Sequence, residues 1–382
     1  MRRQIFTADH EAFRELARDF VAKEVVPNYP GWERAGQLPR EVFERLGSLG
    51  LLSIAIPEEF GGAGIGDYRY NVVLQEEAAR ALVTLGTVRT QLDVILPYFL
   101  AYADAGQRNR WFPGLAAGRL LTAIAMTEPG TGSDLAGIRT TAVRDGDCYQ
   151  LNGAKTFITG GLLADLVIVV ARTATDPGDR RAGLTLLVVE GGMPGFTRGR
   201  VLEKIGLKAQ DTVELSFDAV RVPVGNRLGE EGAAFGYLAH NLPQERMTVA
   251  VGSVAQAQAA LRTTIEYVKE RAAFGKPVAS FQNTKFELAA VATEIEAAQT
   301  MLDRAVLDLV DGELTGADAA KVKLFCTEVQ GRTVDRCLQL FGGYGYVAEY
   351  PIARLYADAR VARIYAGTSE VMKVIIAKSL GL

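Results

Sequence analysis

The ten residues AMTEPGTGSD, Ala125–Asp134, combine a Pro-Gly turn signal with a second glycine and three hydroxyl side chains. Gly130 and Gly132 allow the backbone to approach another group closely, because glycine has no Cβ. Side chains such as Thr127 and Ser133 offer hydroxyls, and their backbone amides offer N–H groups, to phosphate or ring oxygens. Since an ordinary surface loop has the same composition, the stretch predicts a ligand-binding loop only where other segments agree with it.

Three further motifs follow in the chain: LNGAKTFITGG at Leu151–Gly161, LQLFGGYGY at Leu338–Tyr346 and RIYAGTSEVM at Arg363–Met372. Together with the first motif, and in this order, they resemble the acyl-CoA dehydrogenase family, and the resemblance runs from Phe6 to the last residue. It implies an FAD-dependent enzyme that converts an acyl-CoA to a trans-2-enoyl-CoA and passes the electrons to an electron-transfer flavoprotein.

The hydrophobic spacing changes twice along the chain. Apolar residues recur at helical spacing up to about Leu120, form short runs bounded by Gly, Asp and Pro up to Arg227, and return to helical spacing after Gly229. We therefore predict an α+β fold with a helical N-terminal domain (1–120), a small central β-domain (121–229) and a helical C-terminal domain (230–382). The family resemblance implies the same order, with a barrel-like or sandwich-like β-domain and a C-terminal four-helix bundle.

Composition excludes several classes of protein. Hydrophobic residues make up 48% and charged residues 23% of the 382, and these are globular values. The net charge is −3 and no Lys/Arg block occurs, so we expect neither nucleic acid nor an anionic membrane as a partner. The longest apolar run contains Asp165 and is too short to span a bilayer.

Few residues are available for metal or thiol chemistry. The chain has two histidines, too few for most zinc sites, and three cysteines without metal spacing, which we expect to be buried thiols. Arg2 and Arg3 are followed by acidic residues rather than an apolar signal core. We expect a cytoplasmic protein without a metal site.

The resemblance implies that FAD lies between the β-domain and the C-terminal helices. Phe157 would contact one face of the flavin and Thr159 would lie near its N5, with Ile158 between them. Phe157 could equally be a core aromatic by its residue type alone. Family members more commonly have Asn where this chain has Gly160. The loop residues implied to contact the cofactor are Met126, Thr127 and Ser133, and Ser133 is also implied for the substrate.

The far end of the cofactor is implied to contact residues from the C-terminal domain, partly from another subunit. Arg suits the pyrophosphate because its planar fork pairs with phosphate oxygens, although Arg271 also reads as a cation that stabilises a helix C-terminus. Glu370 likewise reads as a helix-start acid. A shared site implies a homo-oligomer, a tetramer or at least a dimer. The implied contacts are Arg271, Phe274, Gln282, Gln339, Gly342, Gly343, Thr368 and Glu370.

Short- and medium-chain members of the family carry their catalytic carboxylate in an IYEGT motif, where this chain has Ala366. Long-chain and isovaleryl members instead carry a glutamate before an arginine on a helix, and NLPQERM at Asn241–Met247 resembles that pattern. Glu245 is therefore the predicted base. The helical face that carries Glu245 is mostly apolar or small, so we expect its carboxylate to point inward with a raised pKa.

The same comparison assigns residues to the substrate. The backbone N–H of Ala366 is implied to polarise the thioester carbonyl, and Gly367 to admit the thioester. Arg246 would orient Glu245 or the substrate, unless it lies on the solvent side of the helix. Pro243 predicts that the helix begins or kinks there.

Other functions stay open on the sequence. The acyl group could be held by a carrier protein, the electron acceptor could be oxygen, or the chain could be a non-catalytic flavoprotein. A flavin monooxygenase is disfavoured, because oxygenation needs no α-proton base.

Overall fold

The computed structural model describes residues 2–382 and has the predicted order of helical, β and helical parts. The helices are α1 (Ala8–Phe20), α2 (Tyr29–Ala35), α3 (Arg40–Ser48), α4 (Arg69–Arg80), α5 (Gly86–Arg89), α6 (Leu96–Tyr102), α7 (Ala105–Ala116), α8 (Ala234–Glu270), α9 (Gln282–Val310), α10 (Gly316–Leu340), α11 (Pro351–Ala359) and α12 (Ser369–Ser379). A π-helical turn, Thr90–Ile95, joins α5 to α6, so the chain is helical from Gly86 to Tyr102.

The central part contains one main sheet. Its strands are β1 (Thr122–Ala125), β2 (Thr141–Asp145), β3 (Cys148–Thr159), β4 (Leu166–Arg172), β5 (Leu184–Glu190), β6 (Phe196–Val201), β7 (Thr212–Pro223) and β8 (Arg227–Leu228). The order is β6-β7-β3-β2-β4-β5-β8, and β1 pairs with β4 in parallel. A short hairpin, β9 (Ala272–Ala273) with β10 (Lys276–Pro277), lies outside this sheet.

Strands β4 and β5 read as continuous apolar runs because both of their faces are buried. Alternate residues of β4, such as Val167 and Val169, pack inside the β-domain, while Ile168 and Val170 pack against the N-terminal helices. A side-chain period of two sends successive residues to opposite faces of a strand. The sheet is thereby held between its own core and the helical domain.

The C-terminal part is built on α8, which packs against α9 and α10, and α10 in turn packs against α12. Pro243 lies inside α8, whose helix starts nine residues earlier at Ala234, so the prediction that the helix begins at this proline is wrong. The side chain of Gln244 donates to the carbonyl of Asp93, 3.0 Å away, and ties this part of α8 to the turn between α5 and α6.

The structure also bears on the membrane-spanning potential of the helices and on the burial of the cysteines. Within residues 2–382 no helix is long and apolar enough to cross a membrane. Cys326 and Cys337 are buried, as expected, whereas Cys148 is half-buried, and all three thiols are unpaired.

Candidate functional site

The carboxylate of Glu245 points into the protein from α8, and only 6% of the residue is exposed. Tyr98, from α6, donates its hydroxyl to Oε1 of Glu245 at 2.8 Å. Burial raises the pKa of Glu245 to about 7, against the opposing effects of the Tyr98 hydrogen bond and the Arg246 charge. No cation lies within ion-pair distance of this carboxylate in the part of the chain that the structure describes. A carboxyl group with a pKa near neutrality can take up a proton during a reaction.

Two buried basic side chains, Arg246 and Lys323, lie close enough for the charge of Arg246 to affect the pKa of Lys323, and Arg246 also acts on Glu245. Arg246 is also buried, so the alternative that it lies on the solvent side of α8 is wrong, and its Nε has no hydrogen-bond partner. Lys323, on α10, is fully buried and donates its Nζ to the carbonyl of Gly367 at 2.6 Å. Burial, and next the nearby charge of Arg246, lower the pKa of Lys323 to about 8. Lys323 therefore links α10 to the turn at Ala366.

The turn before α12 has an unusual backbone. Ala366 has a φ of +52° and Gly367 a φ of +92°, both in the left-handed region that disfavours side chains. Both residues are half-buried. Such strain in a non-glycine residue persists only where the surrounding structure holds it, and it occurs often at ligand sites. The Lys323 contact to Gly367 is one such restraint.

A second buried carboxylate lies beneath the AMTEPGTGSD loop. Glu128 accepts backbone N–H groups from Arg139 and Thr140, each at 2.8 Å, and pairs with Lys155 on β3 at 3.0 Å. Lys155 also donates to the carbonyl of Met126 at 2.9 Å. Burial opposes ionisation of Glu128, but the Thr140 hydrogen bond, the Lys155 charge and the backbone amides outweigh it, so its pKa is lowered. This pair fixes the loop to the strand that carries the predicted flavin residues.

Strand β3 is irregular at those residues. Its register with β7 shifts between Lys155 and Ile158, and Phe157 has a φ of +59°. The Phe157 side chain is 66% exposed, so the alternative of a core aromatic is wrong. Ile158, by contrast, is buried in the core of the β-domain, and its side chain cannot contact a cofactor outside that core. The bulge therefore turns Phe157 outward while Ile158 stays inside.

The neighbouring polar groups also converge on this place. The amide N–H of Thr156 donates to the carbonyl of Thr127 at 3.0 Å, and Gln210 donates to the hydroxyl of Thr159 at 3.2 Å. Ser133, in contrast, is exposed on the far part of the loop. Met126 and Thr127 thus lie beside the C-terminal end of β3, the strand that carries Phe157 and Thr159.

The residues predicted for the far end of the cofactor form a separate, exposed group. Arg271 follows α8, and its guanidinium lies 5.3 Å from the ring centroid of Tyr344, in the turn after α10. Tyr267 stacks on Phe341 and thereby joins the two segments. Phe274 is 95% exposed with a φ of +50°. The other predicted members of this group are also exposed: Gln282, Gln339, Gly342 and Gly343.

Thr368 and Glu370 lie at the start of α12. Thr368 is the N-cap, and its hydroxyl accepts the amide N–H of Val371 at 3.3 Å. Glu370 is exposed in the first turn, and its pKa is lowered by its own backbone amide and then by Thr368. Both residues have a structural role at this helix end, consistent with the alternative interpretation of Glu370 as a helix-start acid.

Sequence reasoning missed two contacts of the site. Tyr98 lies 147 positions from Glu245 and belongs to no motif, so only the packing of α6 against α8 reveals the pair. Lys323 lies in the middle of α10 with no local signal except a lysine among apolar neighbours. Backbone strain could not have been read from the sequence either, although three of the six non-glycine residues with positive φ in the described chain are predicted site residues: Phe157, Phe274 and Ala366.

Sequence comparison assigns the three parts of the chain to one class of enzymes. Profiles described as the N-terminal, middle and C-terminal domains of acyl-CoA dehydrogenase match residues 7–119, 123–220 and 233–381. The chain therefore belongs to the acyl-CoA dehydrogenase family, and it is an oxidoreductase.

The chain is also similar to individual acyl-CoA dehydrogenases of known sequence or structure. The chain is 44% identical to the mitochondrial long-chain specific acyl-CoA dehydrogenase of Sus scrofa, over 99% of this chain and 88% of that protein. It is similar to the crystal structure of an acyl-CoA dehydrogenase from Geobacillus kaustophilus, with a TM-score of 0.97, 44% identity and complete coverage of both chains. A glutaryl-CoA dehydrogenase from Mycobacterium smegmatis in complex with FADH2 matches with a TM-score of 0.89 and 29% identity over 98% of this chain and 95% of that one.

Members of the family are FAD-dependent, and the residues of this chain fit that cofactor. The Phe157 ring is exposed, two residues before Thr159 on β3, and so is accessible to a planar ring system. Thr87 Oγ1 is buried without a partner, and its methyl group lies 3.0 Å from where a Cβ of Gly160 would be. A side chain at Gly160 would press on Thr87, and the φ of +74° at this position suits glycine. The turn therefore accommodates glycine where family members more commonly have Asn. The exposed Arg271 supplies a cation suited to a pyrophosphate.

Proposed function

We propose that this acyl-CoA dehydrogenase forms a trans-2-enoyl-CoA and that Glu245 removes the α-proton. The observation that carries the proposal is a buried carboxylate without an ion-pair partner, whose pKa lies at about 7. At that pKa the group is partly ionised at neutral pH and can also hold the proton that it accepts. Ala366 supplies no carboxylate at the position that short- and medium-chain members use.

The surrounding residues position the reacting groups. Tyr98 holds Oε1 of Glu245 and leaves Oε2 for the substrate proton. The backbone N–H of Ala366 is proposed to polarise the thioester carbonyl, with its strained turn restrained by Lys323. Arg246 and Gly367 complete the proposed substrate contacts. Bound FAD supplies the hydride acceptor, and we propose that Phe157 and Thr159 hold its ring.

We propose as partners an acyl-CoA, an electron-transfer flavoprotein and further copies of this chain, in a tetramer. The exposed positions of Arg271, Phe274 and Gln282 support a cofactor site completed by a neighbouring subunit. Three unpaired thiols are consistent with a cytoplasmic location, because structural disulfides are rare there. We also retain the division at 120/121 and 229/230 as proposed domain boundaries.

Anaerobic mixing of the FAD-loaded enzyme with saturated acyl-CoAs tests the proposal. We expect loss of the visible flavin band in the wild type and not in Glu245→Gln. The exposed Glu266→Gln, on the same helix, serves as the matched control and should behave like the wild type. Full flavin reduction in Glu245→Gln would overturn the assignment of the base.

Other outcomes separate the remaining alternatives. If only carrier-protein-bound thioesters reduced the flavin, the substrate would be an acyl group held by a carrier protein rather than by CoA. Rapid reoxidation of the reduced flavin by air would indicate an oxidase. Retention of FAD with no reduction by any thioester would indicate a non-catalytic flavoprotein.

A further inference from the structure

A cavity runs along α8 away from Glu245. Its empty space, counted together with the open solvent at its mouth, is about 680 Å³ and lies between α4, the helical segment Gly86–Tyr102, α8 and α10. Gly252 and Gln256 line it, seven and eleven residues beyond Glu245 on α8, which corresponds to about 10 and 16 Å along the helix. Tyr365 also lines it, next to Ala366. Neither Glu245 nor Ala366 lines the cavity, but its wall begins beyond them, along α8 and beside the turn at Ala366, where the distal end of an acyl chain would lie.

A guanidinium lies in this cavity. Arg89 lines it and donates from Nη2 to the hydroxyl of Tyr365 at 3.2 Å. A Cβ at Gly252 would lie 3.0 Å from Nη1 of Arg89, so the absence of a side chain on α8 provides the space for the guanidinium. Within residues 2–382 no carboxylate lies within ion-pair distance of Arg89. A plain alkyl chain beside this group would desolvate a charge without pairing it, which is unfavourable.

Asp93 is the carboxylate whose charge acts on Arg89, but both of its oxygens already accept hydrogen bonds from other side chains. Its Oδ1 accepts from Asn71 at 2.6 Å, and its Oδ2 accepts from Gln75 at 2.7 Å and from the hydroxyl of Thr248. Asp93 thus balances part of the charge of Arg89 from a distance and leaves most N–H donors of the guanidinium free to bond a ligand in the cavity.

The cavity wall also has one unused hydrogen-bond donor. Ser253 is 2% exposed, and its Oγ has no partner. Its hydroxyl can donate to a ligand carboxylate, and leaving it unsatisfied costs about 1–3 kcal/mol, so a ligand with an acceptor is favoured at this point of the wall. Two unpartnered acceptors, Oε1 of Gln75 and Oε1 of Gln330, gain nothing from a carboxylate. The wall is therefore polar at several points where a fatty chain would need only apolar contacts.

We propose that this cavity binds the distal end of the acyl chain and that Arg89 pairs there with a terminal carboxylate. The preferred substrates are accordingly CoA monothioesters of dicarboxylic acids rather than plain fatty acyl-CoAs. This inference rests on the proposed function, since it assumes that the thioester lies beside Glu245. Arg89 acts as a specificity residue and takes no part in the transfer of the proton or the hydride.

Matched pairs of thioesters test the inference. FAD-loaded enzyme is mixed anaerobically with ω-carboxyacyl-CoAs and with unsubstituted acyl-CoAs of the same carbon number, from four to twelve carbons, and the rate of flavin reduction is followed against concentration. We expect the carboxylated member to be preferred about 10- to 100-fold at its best chain length, as a charge-assisted hydrogen bond predicts. The preference should lie mainly in KM or Kd, because Arg89 is remote from the reacting carbons.

Variants assign the preference to Arg89. Arg89→Met should abolish it and improve the unsubstituted chains, and Arg89→Lys should retain part of it, because a lysine keeps the charge without the planar fork. Gly252→Ala, which crowds the guanidinium, should reduce the preference in a folded protein if Arg89→Met does not fold. The exposed Arg304→Met, on α9, is the matched control and should leave the preference unchanged.

The results separate this inference from the proposed function. No flavin reduction by either series would contradict the proposed function itself. The carboxylate site would be overturned if unsubstituted acyl-CoAs reduced the flavin at least as fast as ω-carboxyacyl-CoAs at every chain length, and if neither Arg89→Met nor Gly252→Ala changed the ratio of the two rates. That result would leave the proposed function intact.

Discussion

Two buried glutamates in this molecule have opposite ionisation behaviour. Glu245 and Glu128 are 6% and 7% exposed, yet the pKa of Glu245 is raised to about 7 and that of Glu128 is lowered. Glu128 has a lysine and two backbone amides against its oxygens, whereas Glu245 has one tyrosine hydroxyl. Burial alone therefore does not produce a base. The number of donors and cations that contact the carboxylate decides whether its pKa is lowered, as in a structural ion pair, or raised towards neutrality, where the group can exchange a proton.

The largest expected difference between the two sites is in activity. Glu245→Gln should lower the rate of substrate-dependent flavin reduction by at least about 100-fold, because it removes the proposed general base. Glu128→Gln should keep the flavin reduction rate close to that of the wild type in the folded, FAD-loaded fraction. Stopped-flow measurements with both variants check this, and an equal loss of rate in both would remove the distinction.

The next largest effect is on the free energy of unfolding, and we expect it for substitutions of the Glu128–Lys155 ion pair in the β-domain. Lys155→Met leaves Glu128 buried without its cation, and we expect a loss of about 3 kcal/mol in the free energy of unfolding. The double variant Glu128→Gln/Lys155→Met should lose less than the sum of the two single variants. Denaturant titrations measure both; additive losses would show that the ion pair does not act as a unit.

A smaller effect should separate Tyr98 from the base that it contacts. Tyr98→Phe removes a donor that favours the ionised carboxylate, so the pKa of Glu245 should rise by about one unit. The acidic limb of the profile of flavin reduction rate against pH, expected near pH 7 in the wild type, should shift to higher pH by that amount. A shift to lower pH, or none, would contradict the proposed role of Tyr98.

The smallest effect concerns the pH dependence of stability. The folded-state pKa of Glu245 is raised, so its contribution to stability is fully present below its unfolded pKa and is lost as the pH rises through about 7. Glu245→Gln should therefore gain in Tm relative to the wild type between pH 5 and pH 8. Glu128, whose pKa is lowered, contributes above its unfolded pKa and loses that contribution in acid, so the deficit of Glu128→Gln should shrink as the pH falls. For Glu128→Gln the change should appear only as the pH falls below about 4.5, its ordinary pKa, and the deficit should stay constant between pH 5 and pH 8. Thermal unfolding of Glu245→Gln at pH 5 and pH 8, and of Glu128→Gln at pH 5 and in more acidic buffer, measures these trends. A Glu128→Gln deficit that changes between pH 5 and pH 8 in parallel with Glu245→Gln would contradict the comparison.

The sequence predicts the elements and the motif residues better than the contacts between them. Periodicity locates the helices and strands because side-chain burial repeats along the chain, and the inward face of Glu245 follows from the same argument. Tyr98 and Lys323 could not be predicted, since each reaches the site through packing between distant segments. Pro243 was misleading as a helix start, because residues Ala234–Leu242 continue α8 on its N-terminal side. The burial of the Ile158 side chain could not be predicted either, because the bulge that exposes Phe157 is invisible in the motif.

Helix α8 carries the proposed base, one wall of the cavity and, directly after its end, the cation Arg271. One rigid element thus sets the spacing of three sites, and each added residue would turn everything beyond it by about 100° and advance it by about 1.5 Å. Point substitutions between Glu245 and Arg271 can be absorbed one at a time. A single-residue insertion or deletion cannot, so this segment should have an invariant length among enzymes that share the chemistry, even where their surface loops differ freely in length.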